Sequence, residues 1–255
     1  MPATPAWPPR SAPRLFVTHP LSAGAQVVLE GPQAHYLVKV MRAKPGDAVV
    51  LCDDTTGEWA ARVVRCDKRS LELLAAVCLR PREQVPDFWL CPALLKKDRF
   101  DLVLEKATEL GVRAIHPVIT RRCVADKLNP ERARAIVIEA AEQCARTALP
   151  ELVEPVKLDA LLRDWPAART LYFADEQGGT PAAAAFAKSF DTGGPGPAAL
   201  LTGPEGGFDD TERAAIRALP QTVPISLGPR ILRGETAALA GIAAWMAIAG
   251  DWGGK

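Results

Sequence analysis

The sequence has no run of about 20 apolar residues, the length a bilayer-spanning helix needs. Its longest apolar stretch, Ala237–Ala249, is short and rich in alanine. That excludes a helical membrane anchor, and with nothing resembling a secretory leader the expected location is cytoplasmic. The six cysteines, at positions 52, 66, 78, 91, 123 and 144, form no CxxC pair. No metal site is therefore expected, and free thiols in a reducing compartment are. His19, His35 and His116 do not cluster in sequence or fit a triad pattern, and no catalysis is assigned to them. No glycine run is followed by Lys-Ser/Thr and none reads GxGxxG, which excludes the two common phosphate loops. Strong charge of either sign is missing too. The net charge is +1, divided as +3 over residues 1–80, +2 over 81–150 and −4 over 151–255. This weak basic bias suits RNA bound across the N-terminal half and suits solvated surface charge equally well.

What is present suffices for buried cores: 48% of the 255 residues are hydrophobic and 24% are charged. That is ordinary for one large or two modest globular domains. Residues 1–13, rich in Pro and Ala, read as a disordered tail. From 14 to 80, short apolar runs (Gln26–Leu29, Asp47–Asp53, Glu58–Cys66 and Ser70–Leu79) alternate with Gly-Asp and Thr-Gly turns. They predict a small β-barrel with a helix-like insert at Gln33–Met41. Pro81–Pro86 reads as a linker.

Over residues 87–255 strands and helices alternate, which predicts an α/β domain with a parallel sheet. The expected strands are Phe88–Leu95, Val112–Ile119, Thr170–Ala174, Ala198–Thr202 and Val223–Leu227. One expected helix is Asp98–Leu110, stopped by Gly111; another is opened by Asn129–Pro130 and runs to Thr147. Gly193–Pro197 reads as a loop.

Two glycine-bearing turns near the C-terminus carry the functional signal. Each follows a strand-like run and leads into a helix: Gly203–Phe208 (GPEGGF) and Gly228–Gly234 (GPRILRG), the latter within SLGPRILRGETAALAGI at Ser226–Ile242. At the C-terminal edge of an open α/β sheet such turns border ligand pockets. Gly203, Gly206 and Gly207 permit positive φ and close backbone approach, and Pro204 stiffens the start of the first turn. Asp209 and Glu212 have the spacing of a capping box. With Glu205 and Asp209–Asp210 nearby, a phosphate is disfavoured and a cationic or zwitterionic ligand suits the turns. Two unrelated tight turns remain the plain alternative.

In this order the two turns resemble the cofactor-loop motifs of the SPOUT methyltransferases. More narrowly they resemble the RsmE-type enzymes, which methylate N3 of a uridine in small-subunit (16S) ribosomal RNA. The likeness extends to Ala93–Cys123, to the glutamine-arginine helix Glu139–Pro150, and to Arg14–Val17 and His35–Asp47. It covers nearly everything from Arg14 to Ala249.

The resemblance implies an N-terminal PUA-like β-barrel, then an α/β SPOUT domain with a C-terminal trefoil knot, assembled as a homodimer. It implies S-adenosylmethionine (SAM) held by Leu201, Gly203, Pro204, Glu205, Gly206, Leu227, Gly228, Ile231, Leu232, Thr236 and Ala237. Arg230 and Arg233 would stabilise charge on the uracil oxygens or fix a phosphate. Glu205 and Glu235 would either accept a proton or anchor their loops, and the general base is unassigned. For 16S ribosomal RNA or the small ribosomal subunit, the implied contacts are Arg14, Lys39, Arg42, Lys44, Arg121, Arg122, Gln143 and Arg146. Glu142 and Arg146 also form an i,i+4 pair on a predicted helix.

One position departs from the family pattern: Gly234 stands where Thr is usual, which predicts a looser second turn. Two alternatives stay open. One is a knotted relative acting on ribose or another base, though Leu227–Arg230 lacks the Ser-Leu-Asn of the ribose-modifying branch. The other is a non-catalytic RNA-binding relative.

Overall fold

The structure is a computed structural model that describes residues 7–190 and 196–253. The tail expected at residues 1–13 lies outside the described residues over 1–6, and the loop expected at Gly193–Pro197 does so over 193–195. The chain folds as two compact units. One holds the described residues up to Gln84 together with Ala141–Leu149; the other holds Val85–Ala140 and the described residues from Pro150 onward.

The first unit is a five-stranded sheet of order β1-β3-β4-β5-β2. Its strands are β1 (Arg14–Phe16), β2 (Gln26–Glu30), β3 (Ala48–Asp53), β4 (Gly57–Cys66) and β5 (Ser70–Arg80). β1 runs parallel to β3 and the other pairs are antiparallel. Register shifts between Glu58/Trp59, Ala60/Ala61 and Val63/Arg65 put bulges along β4, and bulges raise the local bend. The edge strands β1 and β2 do not pair with each other among the described residues, so the sheet is a half-barrel. The insert expected at Gln33–Met41 is a short helix α1 (Gly31–His35) continued by a π-helical turn, Tyr36–Val40.

Alternating side chains of this sheet close on Leu15, Leu29, Leu37, Leu51, Leu71 and Leu73. Its turns are fixed by charge. The Asp53 carboxylate accepts from Leu21 N (2.5 Å), Thr55 N (2.8 Å), Thr56 Oγ1 (2.6 Å) and Thr56 N. Those bonds hold its carboxyl below the usual range against the opposing effect of burial. The residues after β5 are tied down as well: Glu83 accepts from Thr147 N (2.5 Å) and Ala148 N (3.1 Å).

The second unit is a seven-stranded, wholly parallel sheet of order β12-β14-β11-β13-β6-β7-β9. Its elements in chain order begin with β6 (Phe88–Pro92), α2 (Lys97–Glu109), β7 (Ala114–Ile115), β8 (Val118–Ile119) and α3 (Pro130–Cys144). Then come β9 (Glu151–Leu152), β10 (Val156–Lys157), α4 (Leu158–Arg163), β11 (Thr170–Ala174), β12 (Thr180–Pro181) and α5 (Ala182–Ala187). The unit closes with β13 (Ala198–Thr202), α6 (Asp210–Ala218), β14 (Thr222–Ser226) and α7 (Gly234–Ile248). The long strand expected at Val112–Ile119 is split in two, because Pro117 cannot donate to a ladder. β8 then pairs with β10 outside the main sheet.

Gly111 ends α2 at φ +92°, where a side chain would be strained, and Asn129 caps α3 through Arg132 N at 2.9 Å. β6 and β13 are nearly continuous apolar runs, as strands covered on both faces must be. α7 packs on them: Trp245 stacks on Phe88 at 4.1 Å, and Gly241 lies directly against Leu200. The small residues of α7 therefore serve packing within this unit. On the sheet, Trp89 stacks on His116 (4.2 Å) while the Arg169 guanidinium lies 3.5 Å from its ring centre. Burial, with Arg169 nearby, pushes His116 down to about 4, so it is neutral at physiological pH.

The strand order carries one unusual consequence. β14 lies between β11 and β12, which are consecutive in sequence. The short connection Asp175–Gly179 therefore passes around the tip of β14. Asp175 N donates to Ile225 O at 3.2 Å, and Gly179 packs on the Pro224 backbone, where a side chain would collide.

Candidate active site

β11, β13 and β14 end side by side, and their C-terminal ends open into a solvent-accessible cleft with a cavity volume of about 140 Å³. That is the place at which α/β sheets bind small ligands. Its walls come from Ala174–Glu176 at the end of β11, the first glycine turn after β13 and Ile225–Leu232 at the end of β14, with Arg213 of α6 and Gly234 and Ala237 of α7.

The first turn is rigidly framed. Thr202 ends β13, Gly207 N donates back to Pro204 O at 2.9 Å, and Gly207 adopts φ +66°. Phe208 returns to the core edge-on to Phe173 at 5.2 Å. Gly203 does not need positive φ; it needs to be small, because a Cβ there would meet the Phe208 ring at 2.9 Å. The expected capping box forms. Asp209 Oδ1 accepts from Glu212 N (2.7 Å) and Glu212 Oε2 accepts from Asp209 N (3.2 Å). The Glu212 amide, and after it Arg121 at 2.8 Å, hold the Asp209 carboxyl below the usual carboxylate range.

The second turn is open. Gly228, Pro229, Arg230, Ile231 and Arg233 are exposed, Ile231 to 86%. Ser226 and Gly228 exchange long contacts of 3.3–3.4 Å, and among the described residues the side chains of Arg230 and Arg233 make no hydrogen bond or ion pair. The turn is anchored at its far end. Gly234 is the first residue of α7 and is buried, and a Cβ there would lie 2.9 Å from Gly203 O and 2.8 Å from Leu95. The expected loosening at this glycine is therefore replaced by a tight joint between the two turns.

The structure gathers most of the expected cofactor residues. Gly203, Pro204, Leu227, Gly228, Ile231, Leu232 and Ala237 line the cleft, as does Arg230. Leu201 is fully buried beneath it. Glu205, Gly206, Arg233, Glu235 and Thr236 stand outside the lining. Glu205 accepts from Lys96 N at 3.4 Å, and the buried Glu235 pairs with Arg99. Both carboxylates thus have anchoring partners.

Sequence reasoning missed a third wall, Asp175–Glu176. Asp175 has a fully buried carboxylate held by Arg213 (3.1 Å) and Arg217 (2.6 Å), and Arg213 also reaches Glu176 at 2.9 Å. An acidic pair following a strand-like run was the available signal.

Of the residues expected to meet RNA, Lys39, Arg42, Lys44 and Gln143 are exposed. Arg42 holds φ +54°, a left-handed conformation that is uncommon outside glycine. Arg14 is occupied differently: its guanidinium pairs with the buried Glu58 at 2.6 Å, a carboxylate it shares with Arg80. Glu142 accepts from Phe16 N at 2.8 Å. Arg146 is buried, and burial lowers its guanidinium to about 10. Neither arginine presents its charge freely to solvent. Arg121 and Arg122 are exposed but reach the first turn. Arg121 N donates to Glu212 at 2.7 Å and Arg122 Nη1 to Gly206 O at 3.1 Å.

Among the described residues no group of three or more His, Cys, Asp or Glu side chains could hold a metal ion, and no helix is long and apolar enough to cross a membrane.

The sequence matches an RNA methyltransferase domain family over residues 82–246 and an RNA methyltransferase PUA domain over residues 29–75. It is 33% identical over 230 residues to the ribosomal RNA small subunit methyltransferase E of Synechocystis sp., covering 88% of this chain and 74% of that one. It is 29% identical to the protein of the same name from Rickettsia conorii, covering 90% and 93%. The solved ribosomal RNA small subunit methyltransferase E from Neisseria gonorrhoeae, bound to S-adenosyl methionine, superposes with a TM-score of 0.83 at 29% identity, covering 94% of this chain and 99% of that one.

Proposed function

Because this chain belongs to the family of the ribosomal RNA small subunit methyltransferases E, we propose that it methylates N3 of one uridine in 16S ribosomal RNA. It is a SAM-dependent ribosomal RNA methyltransferase with a PUA domain. The observation that carries the finer reading is the cleft, with two glycine turns joined at Gly203 and Gly234 and two uncommitted arginines on the open one.

The residues present fit the cofactor. Pro204, Phe208, Leu227 and Leu232 give the cleft apolar walls for an adenine, and Asp175, Glu176 and Arg213 give it a polar end of low net charge. When bound, SAM supplies a methyl group on a sulfonium, an electrophile that needs positioning more than activation. Uridine N3 carries a weakly acidic proton. Arg230 and Arg233 supply positive charge where the uracil oxygens become negative as that proton leaves. Glu205 and Glu235 serve as anchors, fixing the first turn to Lys96 and α7 to Arg99.

Lys39, Arg42, Lys44 and Gln143 are our choice for RNA contacts, with Arg121 and Arg122 beside the cleft. Arg14 and Arg146 act instead as supports for their surroundings. A trefoil knot is favoured by the placement of β14 between β11 and β12, since the chain leaving β14 must pass the Asp175–Gly179 connection. The homodimer implied by the family resemblance is our reading of its assembly. The substrate is then the RNA or the small subunit that contains it.

Nucleoside mass spectrometry tests the reading. Small-subunit RNA lacking the mark, incubated with protein and SAM, is expected to yield 3-methyluridine. A 2′-O-methylated nucleoside or another methylated base would replace that assignment.

A further inference from the structure

We propose that Glu176 grips the two ribose hydroxyls of the cofactor, an inference that rests on the cofactor reading of the cleft. Glu176 stands two residues beyond the end of β11, on the ligand-binding edge of the sheet, and lines the cleft with its side chain 47% exposed. In dinucleotide-binding α/β sheets an acidic side chain hydrogen-bonds a ribose hydroxyl of the ligand.

The neighbouring groups fix what this carboxylate can still do. Asp175 is saturated: it accepts from Gln177 N (3.0 Å), from Arg213 Nε (3.1 Å), and from Arg217 Nε (2.9 Å) and Nη2 (2.6 Å). Glu176 accepts from Arg213 Nη2 through Oε1 alone, at 2.9 Å, and its Oε2 has no hydrogen bond among the described residues. Glu176 is therefore the carboxylate of the cleft with spare acceptor capacity.

Two neighbours constrain its position. Arg213, its side chain 8% exposed, donates to Oε1 at 2.9 Å. The first turn also comes close to it, which Gly207 permits by lacking a side chain, since a Cβ there would lie 2.8 Å from Oε1. A carboxylate so fixed, beside a turn expected to border the adenine, is preorganised for a neighbouring pair of donors.

Charge decides between the cofactor's donors. Asp175 and Glu176 are balanced by Arg213 and Arg217, while Asp210 reaches Arg213 only at 3.4 Å with its side chain 98% exposed and screened. This balanced cluster has little net attraction for an ammonium. It suits neutral hydroxyls that donate to an ionised oxygen.

Calorimetry on the whole protein tests this with three ligands: S-adenosylhomocysteine, its 2′,3′-dideoxy analogue, and 5′-methylthioadenosine, which keeps the ribose and lacks the amino-acid part. Wild-type protein is expected to bind the dideoxy compound about 10- to 100-fold more weakly than S-adenosylhomocysteine, the range for charge-assisted hydrogen bonds. Glu176→Ala is expected to lose that discrimination, and to weaken S-adenosylhomocysteine and 5′-methylthioadenosine by the same factor. Glu176→Gln, which keeps one acceptor and the shape of the site, is expected to fall between them, and it carries the comparison if the alanine variant unfolds. A purely structural role would weaken all three ligands while leaving the discrimination intact, and that result overturns the proposal. So does weakening of S-adenosylhomocysteine alone, which would assign the carboxylate to the ammonium. If wild-type protein binds none of the three, the cofactor reading of the cleft fails first.

Discussion

Across the cleft, the turn at Gly203–Phe208 is held on every side, whereas the turn at Leu227–Arg233 is held only at its ends. The first has Lys96 on Glu205, Arg122 on Gly206, the Phe208 ring on Phe173, and a capping box in which the buried Glu212 also takes the Arg121 amide. The second has a Ser226–Gly228 contact at one end and the buried Gly234–Glu235 joint at the other, with exposed residues between. Segments that move on binding come from the least stable parts of a fold, and scaffolds come from the most stable. The contrast predicts that the first turn is a preformed wall and that the second orders around ligand and substrate.

Substitutions in the two turns should therefore separate stability from activity. The largest effect is expected from Arg230→Ala combined with Arg233→Ala. Methyl transfer in single-turnover assays should fall about 10²–10³-fold, the scale of losing a charge-stabilising donor, while the melting temperature stays put. Glu212→Ala should do the reverse. It strips a buried acceptor from the amides of Arg121 (2.7 Å) and Asp209 (3.2 Å), for a loss of about 2–3 kcal/mol in urea unfolding.

A glycine pair sharpens the comparison. Gly207→Ala, at φ +66° and against Glu176, should cost about 1–2 kcal/mol. Gly228→Ala, at φ +115° with nothing within 4 Å of a Cβ, should cost strain alone and less than its counterpart, because a turn held only at its ends can relax. Smallest of all, Ile231→Ser should leave urea stability within about 0.5 kcal/mol, as for any exposed position. A drop as large as that of Glu212→Ala would mean that the second turn is part of the framework.

Local chemistry was legible in the sequence wherever partners are close along the chain. The capping box of Asp209 and Glu212, the Asn129 cap and the Gly111 stop all depend on neighbours within four positions. What escaped depends on distant partners. Asp175 and Glu176 become a cleft wall only because Arg213 and Arg217, some forty positions on, fold onto them. Arg14 looked like a phosphate contact, and Glu58, 44 positions away, gives it another partner. Arg146 is withdrawn by burial that helical spacing did not show. Gly234 looked like slack and is a close-packing point, because Leu95 and Gly203 O meet it from other elements.

Hydrogen exchange, read by mass spectrometry with and without S-adenosylhomocysteine, tests the contrast between the turns most directly. In the protein alone, amides of Gly206–Glu212 are expected to be protected and those of Gly228–Arg233 to exchange quickly; ligand should slow the second set strongly and the first little. Equal protection of both turns before ligand, or slowing confined to the first turn, would contradict the division into preformed wall and ordering turn.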